Sequence, residues 1–220
     1  MLEPKVIFED DALLVLNKPA GLVVHEGHGQ TDPTVVDWLT QRFPKSSLKQ
    51  EHYGLLHRLD KDTSGVLLVA KQPDTFEYLK RLFKRHAVHK EYLVLVHGKL
   101  MPRAGLINVP IARDLIRRTR FEPAASGRAA ETRYEVVAHY SGFTYLKAYP
   151  TTGRTHQIRV HFASIGHPVA GDKTYGRTDA LPRQFLHAHG LNFADWNGKT
   201  RHFISPLAPD LKQFLGHLSR

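Results

Sequence analysis

The sequence predicts an α+β fold built on a mixed, mostly antiparallel sheet flanked by helices. Three observations carry this. Short runs of alternating or continuous apolar residues are bounded by turn signals, as strands of hairpins are. Stretches with apolar residues at helical spacing fall between them. The two kinds of segment do not alternate regularly, which argues against a repeated βαβ architecture. A chain of 220 residues can bury ~70% of the surface its unfolded form exposes, so it needs no staples. No repeat or Pro/Gly-rich linker divides it, and the expectation is one domain over 1–220.

The elements follow in order. A first strand begins by Val6. Leu13–Leu16 and Leu22–Val24 are apolar runs interrupted by the turn-rich Asn17-Lys18-Pro19-Ala20-Gly21. Asp32 and Pro33 offer an N-cap and a first-turn proline for a helix carrying Val35, Val36, Leu39 and Phe43. Gly65–Lys71 reads as a buried strand. Asp74 and Glu77 suggest a capping-box start to a helix striped by Leu79, Leu82 and Phe83. From Val88 to His97 the period becomes two, with Tyr92, Val94 and Val96 opposite Leu93 and Leu95. Glu131–His139 and Thr144–Tyr149 form a hairpin through Ser141-Gly142. A short helix around His156–Ile165 places Gly166 as its C-terminal glycine. Strands near Phe185–Phe193 and Arg201–Ile204 precede a last helix bearing Leu211, Phe214, Leu215 and Leu218.

Composition excludes several classes of function. The chain has no cysteine, which removes disulfide scaffolds, thiol nucleophiles and iron–sulfur sites and fits a reducing cytoplasm. No apolar run approaches the ~20 residues of a membrane span, and the acidic start is unlike a secretory signal. The formal net charge is +10, a surface whose natural counter-ions are phosphates. Two clusters could track a phosphate backbone. Lys80, Arg81, Lys84 and Arg85 pair at i, i+4 on the helix after Asp74, and Arg113, Arg117, Arg118 and Arg120 fall in what reads as a mobile loop.

Two constellations carry chemistry. His57-Arg58-Leu59-Asp60-Lys61-Asp62-Thr63-Ser64-Gly65 is a charged loop delivered directly into a buried strand, the setting in which reactive groups tend to sit. A carboxylate at position 60, beside apolar Leu59, needs a cationic partner to stay ionised if half-buried. The second is Thr152-Gly153-Arg154-Thr155-His156-Gln157-Ile158-Arg159-Val160-His161. On a helical wheel Arg159 lies about 100° from Ile158, at the flank of the apolar stripe. From there it can snorkel outward or point its planar fork inward at a carboxylate.

These segments resemble the RluA group of pseudouridine synthases. The resemblance covers Asn17-Lys18-Pro19, the 57–71 stretch, Lys90-Glu91-Tyr92, the 152–161 stretch, and His167-Pro168 through Gly171-Asp172 to Tyr175-Gly176. It implies that fold, with isomerisation of uridine to pseudouridine in ribosomal large-subunit RNA or transfer RNA. By the same resemblance Asp60 is the catalytic aspartate, Tyr92 the tyrosine stacked against the base, and Arg159 the arginine paired with Asp60. Arg58 fills the gap left by the flipped base. His57, Lys84, Arg85, Arg154 and His156 are expected to bind RNA. Many relatives carry an additional small RNA-binding domain ahead of the catalytic one, and none is expected here. Isomerisation rejoins the same two fragments without redox change, so no cofactor or metal is expected, and no Walker loop or GxGxxG occurs. The expected partner is RNA, with no membrane and a monomeric state.

Other readings compete. A metal site among the 15 histidines is disfavoured, because His156 and His161 point about 140° apart on a helix. Asp60-Lys61-Asp62-Thr63 weakly resembles an aspartyl-phosphate loop, yet its apolar strand follows the motif instead of preceding it. A catalytically inactive RNA-binding protein of the same fold is the remaining alternative.

Overall fold

The computed structural model describes residues 2–25, 32–177 and 181–219. Its elements are β1 (Lys5–Glu9), β2 (Leu13–Lys18), α1 (Val35–Arg42), β3 (Ser64–Ala70), α2 (Pro73–Lys84), β4 (His89–His97), β5 (Ala104–Asn108), β6 (Ile111–Arg113), β7 (Phe121–Pro123), β8 (Glu131–Tyr140), β9 (Phe143–Pro150), α3 (Gln157–Ser164), β10 (Leu186–Ala194), β11 (Thr200–Ile204) and α4 (Pro209–Gly216). They divide into two compact units. One comprises residues through His89 together with Ala188–Pro206; the other comprises Lys90–His187 with the chain from Leu207.

In the first unit, β2 pairs antiparallel with β1 and with β3, and β10 with β11. Every residue of β3 is buried, as its continuous apolar run requires of a two-sided strand. Leu13, Val15, Val66 and Leu68 pack with Phe76 and Leu79 of α2 and with Leu191, Phe193 and Phe203. Two helix starts differ from expectation. Thr34, not Asp32, caps α1, in a reciprocal capping box with Asp37. Gln72 stands at the N-cap of α2 with Pro73 in the first turn and no side-chain cap, so Asp74 and Glu77 make no capping box. In each case a residue two positions from the expected one takes the capping place. Cap signals in a single sequence do not separate such neighbours.

In the second unit β4 pairs with β9, β9 with β8 and β8 with β5, all antiparallel. The alternation in β4 holds: Val94 and Val96 join Leu146, Ile158 and Phe162 in one cluster, while Leu95 joins Phe185 and Leu211 in another. Gly166 has φ +80° just beyond α3, the left-handed step that ends a helix. Helix α3 departs from the amphipathic reading, because Gln157 through Phe162 are all buried. Residues 113–120 connect two short strands as the tip of a hairpin, β6–β7, with Arg113 opposite Phe121.

Gly65 shows how tightly the chemical loop is delivered into β3. Its φ is +119°, and a Cβ there would lie 2.1 Å from the Ala188 carbonyl oxygen. Gly65→Ala combines backbone strain with a collision against main chain. It should lower unfolding free energy by at least ~2 kcal/mol in urea titration; a change within ~0.5 kcal/mol would contradict this packing.

Candidate active site

In the first unit the 57–64 loop is fixed from both ends. The His57 ring accepts the Leu68 N–H at Nε2 (2.9 Å) and stacks on Phe83 at 5.3 Å. Leu59 is buried, Arg58 is exposed and Asp60 is half-buried. The Asp60 carbonyl accepts the Thr63 N–H at 3.1 Å, closing a turn across Lys61 and Asp62. Beneath the turn sits Lys18, whose side chain is wholly buried. Its ammonium donates to the carbonyls of Pro19 (2.9 Å), Leu22 (2.7 Å) and Lys61 (2.9 Å). The Lys61 carbonyl also takes the Gly21 N–H. The residue after Asp60 is thus held by main chain and by a buried cation. Lys18 enters the sequence reading only as part of a resembling tripeptide. Its position just beyond the apolar run Leu13–Leu16 was the available signal.

Helix α2 presents its polar face on the same unit. Lys84 and Arg85 are exposed. Lys80 pairs with Glu77 at 3.1 Å, and Arg81 lies over the Tyr78 ring. At the helix C-terminus Lys84 and Arg85 complement the dipole and remain accessible to phosphate.

The second unit holds the other residues. Tyr92 is half-buried on β4, opposite Ala148. Lys90, two residues earlier, donates to the Thr152 carbonyl at 2.8 Å. Burial, with the nearby Arg154 charge, pushes its ammonium down to about 8. Arg154 donates through Nε to the Ala129 carbonyl. Gln157 staples the loop before α3, accepting from the Thr152 hydroxyl and the Arg154 N–H and donating to Glu131 and Thr132. His156 takes the left-handed conformation at the helix start, φ 57°, with Nδ1 2.9 Å from the Tyr175 hydroxyl. His161 engages both ring nitrogens, with the Thr132 hydroxyl and the Val109 carbonyl, and burial lowers its proton affinity. It is a buried structural histidine.

Arg159 is buried, and its planar fork is used as the chemistry of guanidinium suggests. Nε and Nη2 donate to the two oxygens of Asp172 at 2.7 and 2.8 Å, a bidentate pair with both side chains removed from solvent. Burial alone would push the Asp172 carboxyl up. The Arg159 contacts and the Thr174 and Tyr175 amides outweigh it and hold the group below the usual carboxylate range. Tyr175 completes the arrangement. Its ring lies 5.1 Å from the Arg159 guanidinium carbon, and its hydroxyl accepts the Phe121 N–H at 2.8 Å. In the sequence, Asp172 and Tyr175 stand out only as part of the resembling tail. Their roles require knowing what lies beside the helix, which spacing does not reveal.

The RNA pseudouridylate synthase family matches residues 12–164, and the chain belongs to it. It is 43% identical over 96% of its length to a ribosomal large subunit pseudouridine synthase D of Nitrosomonas europaea. It is 37% identical over 99% of its length to a ribosomal large subunit pseudouridine synthase C of Pasteurella multocida. The chain spans 64% and 68% of those proteins, about two thirds of each. Among solved structures, human RNA pseudouridylate synthase domain containing 1 is similar with a TM-score of 0.77 and 29% identity, covering 96% of this chain and 86% of that one.

Removing one member of the buried pair leaves the other charged and unmatched. Asp172→Asn should cost roughly 3–5 kcal/mol at pH 7. Because the native carboxyl is held below its unfolded value, its contribution is present above about pH 4 and fades as pH falls through the native value. The wild-type advantage over the variant in urea unfolding should therefore shrink below pH 4. A constant difference from pH 7 to pH 3 would contradict the assignment.

Proposed function

We propose that this protein isomerises specific uridines to pseudouridine in structured RNA, most directly large-subunit ribosomal RNA and alternatively transfer RNA. The family match across residues 12–164 carries the reading, and the bacterial relatives, both ribosomal large subunit enzymes by name, point to the ribosomal substrate. In this reaction the C1′–N1 bond breaks, a C1′–C5 bond forms, the C5 proton leaves and N1 is protonated. No electrons or atoms are gained, so the chemistry calls for no co-reactant. Asp60 is the carboxylate that engages the uridine. Tyr92 stacks on the base and assists proton removal. Arg159 is the arginine that pairs with Asp60 and supplies positive charge to it. Arg58 occupies the space of the flipped base, whose extrusion costs a few kcal/mol. His57, Arg154 and His156 shape the loops that meet RNA, and Lys84 and Arg85 grip its backbone. The protein acts as a monomer in the cytoplasm.

Several features support these roles. The Asp60 turn is tied down by main-chain bonds, which favours a reactive group held in place. The Arg159 side chain is oriented by Asp172, so a second carboxylate can be met by an already ordered cation.

Pseudouridine can be mapped in transcribed large-subunit ribosomal RNA and transfer RNA incubated with the protein. The wild type should form it. Asp60→Asn should retain less than about one part in a thousand of the rate while binding RNA normally, whereas Asp62→Asn should stay near wild type. Arg159→Lys should be strongly impaired because an ammonium lacks the fork. A wild type that binds RNA without modifying it would instead identify an inactive RNA-binding protein.

Lys84→Ala/Arg85→Ala should weaken binding to all RNAs alike. The dependence of log affinity on log salt should flatten by roughly 0.7–0.9 for each phosphate that the variant no longer neutralises. An unchanged slope would remove α2 from the RNA track.

A further inference from the structure

The tip of the β6–β7 hairpin is built unlike the rest of the surface. Leu115 and Ile116 are adjacent and 91% and 92% exposed. Solitary exposed aliphatic residues are ordinary, but a pair projecting from a turn is a wedge. Around them are Arg113, Arg117, Arg118 and Arg120, and within 113–120 the one carboxylate is Asp114. That carboxylate accepts the N–H groups of Ile116 and Arg117, both at 2.8 Å. It folds the tip and holds the two apolar side chains outward. A second pair of bonds, Asp114 N–H to Arg120 carbonyl and Arg120 N–H to Arg117 carbonyl, closes the turn. Arg113, Asp114, Leu115 and Arg118 line a shallow depression of about 240 Å³.

The hairpin is rooted beside Arg159. Phe121, at its base, donates its N–H to the Tyr175 hydroxyl and meets His156 edge-on at 5.6 Å. Arg120 lies 5.1 Å over the Tyr175 ring, the ring that also carries Arg159. Arg113 lies over Phe121 at 5.4 Å. The arginines at the root are thus ordered against aromatic rings. Arg117 and Arg118 are exposed at the tip.

We infer that this tip is an RNA wedge: Leu115 and Ile116 insert at an interrupted base stack while Arg117 and Arg118 hold the flanking phosphates. Charge selects the occupant. Four arginines around an apolar point repel a basic partner and would leave most of their charge unmatched against a second copy of this chain. A polyanion with apolar faces between its charges matches both features. The wedge also selects the kind of RNA. Opening a continuous stack costs a few kcal/mol per step, and inserted side chains recover it only in part. Where a loop or bulge has already interrupted the stack, that cost is absent. The substrate is therefore RNA with unpaired nucleotides near the target uridine, gripped by the unit that carries Arg159. This rests on the reading of the protein as an RNA-modifying enzyme.

The test uses the full chain and two probes, transcribed large-subunit ribosomal RNA and a perfectly paired RNA duplex. The wild type should prefer the first. Leu115→Ser/Ile116→Ser, both surface changes, should abolish that preference, binding ribosomal RNA about tenfold more weakly with the salt slope unchanged. Arg117→Ala/Arg118→Ala should weaken both probes and flatten the slope by roughly 1.4 in total. Pseudouridine formation by the wild type is measured on the same ribosomal RNA. If it occurs and Leu115→Ser/Ile116→Ser binds and modifies like wild type, the wedge is wrong and the enzyme assignment stands. If no pseudouridine forms, the enzyme assignment fails, and the disappearance or retention of the preference still decides the wedge. Sedimentation of both forms covers the remaining case. A dimer that dissociates on Leu115→Ser/Ile116→Ser, with RNA binding intact, would overturn the inference in favour of self-association.

Discussion

The structure around α3 depends on one ion pair. Arg159 and Asp172 are both withdrawn from water, where each charge alone would be prohibitively costly. The pair is tolerable because its geometry is complete: two parallel hydrogen bonds to the guanidinium, and two backbone amides on the carboxylate's remaining capacity. Those amides belong to Thr174 and Tyr175, so the pair also dictates the course of the segment after α3. Tyr175 is set over the guanidinium by it, and from Tyr175 the order passes to His156 and Phe121. The left-handed His156 is a strained start for a helix. Its ring contact with Tyr175 and the Gln157 network show what holds it there.

The first unit buries a cation in a different way. Three peptide carbonyls accept from the Lys18 ammonium. An ammonium has three donors and no planar preference, so neutral acceptors converging from a turn suit it. The consequence is positional. The carbonyls of residues 19, 22 and 61 must all approach one point, which ties the Asn17–Gly21 turn to the loop containing Asp60. The ammonium fixes that loop through Lys61 and does so with main-chain dipoles.

How far the sequence could be read follows from the kind of information each feature needs. The longer strands and α2 were legible because period and burial coincide: β4 alternates between two clusters, and β3 is apolar from Gly65 to Ala70 with every residue buried. The helix α3 was not legible as a buried element. Its wheel shows polar Gln157, Arg159 and His161, and only their partners, some thirteen to fifty residues away, explain why each tolerates burial. The β6–β7 hairpin was missed for another reason. Three-residue strands carry too little periodicity to register, and the hairpin is held by Asp114 within its tip and by Tyr175, distant in sequence. Asp60, Tyr92 and Arg159 could be named through resemblance, whereas Asp172 and Lys18 acquire their meaning only from geometry.

The charges thus fall into two populations that respond differently to solvent. Lys18, Arg159 and Asp172 lie inside, where ionic strength reaches them little. Lys84, Arg85, Arg117 and Arg118 are exposed, and at ordinary salt their fields decay over ~8–10 Å. Interactions of the second population with a polyanion are dominated by counter-ion release and weaken steeply as salt rises. The internal pairs should not follow. On the proposed reading, RNA binding by the exposed population would be sensitive to salt while the internal pair keeps its geometry. Of the buried charges, Arg159 and Asp172 cancel each other and contribute nothing to the net charge of +10.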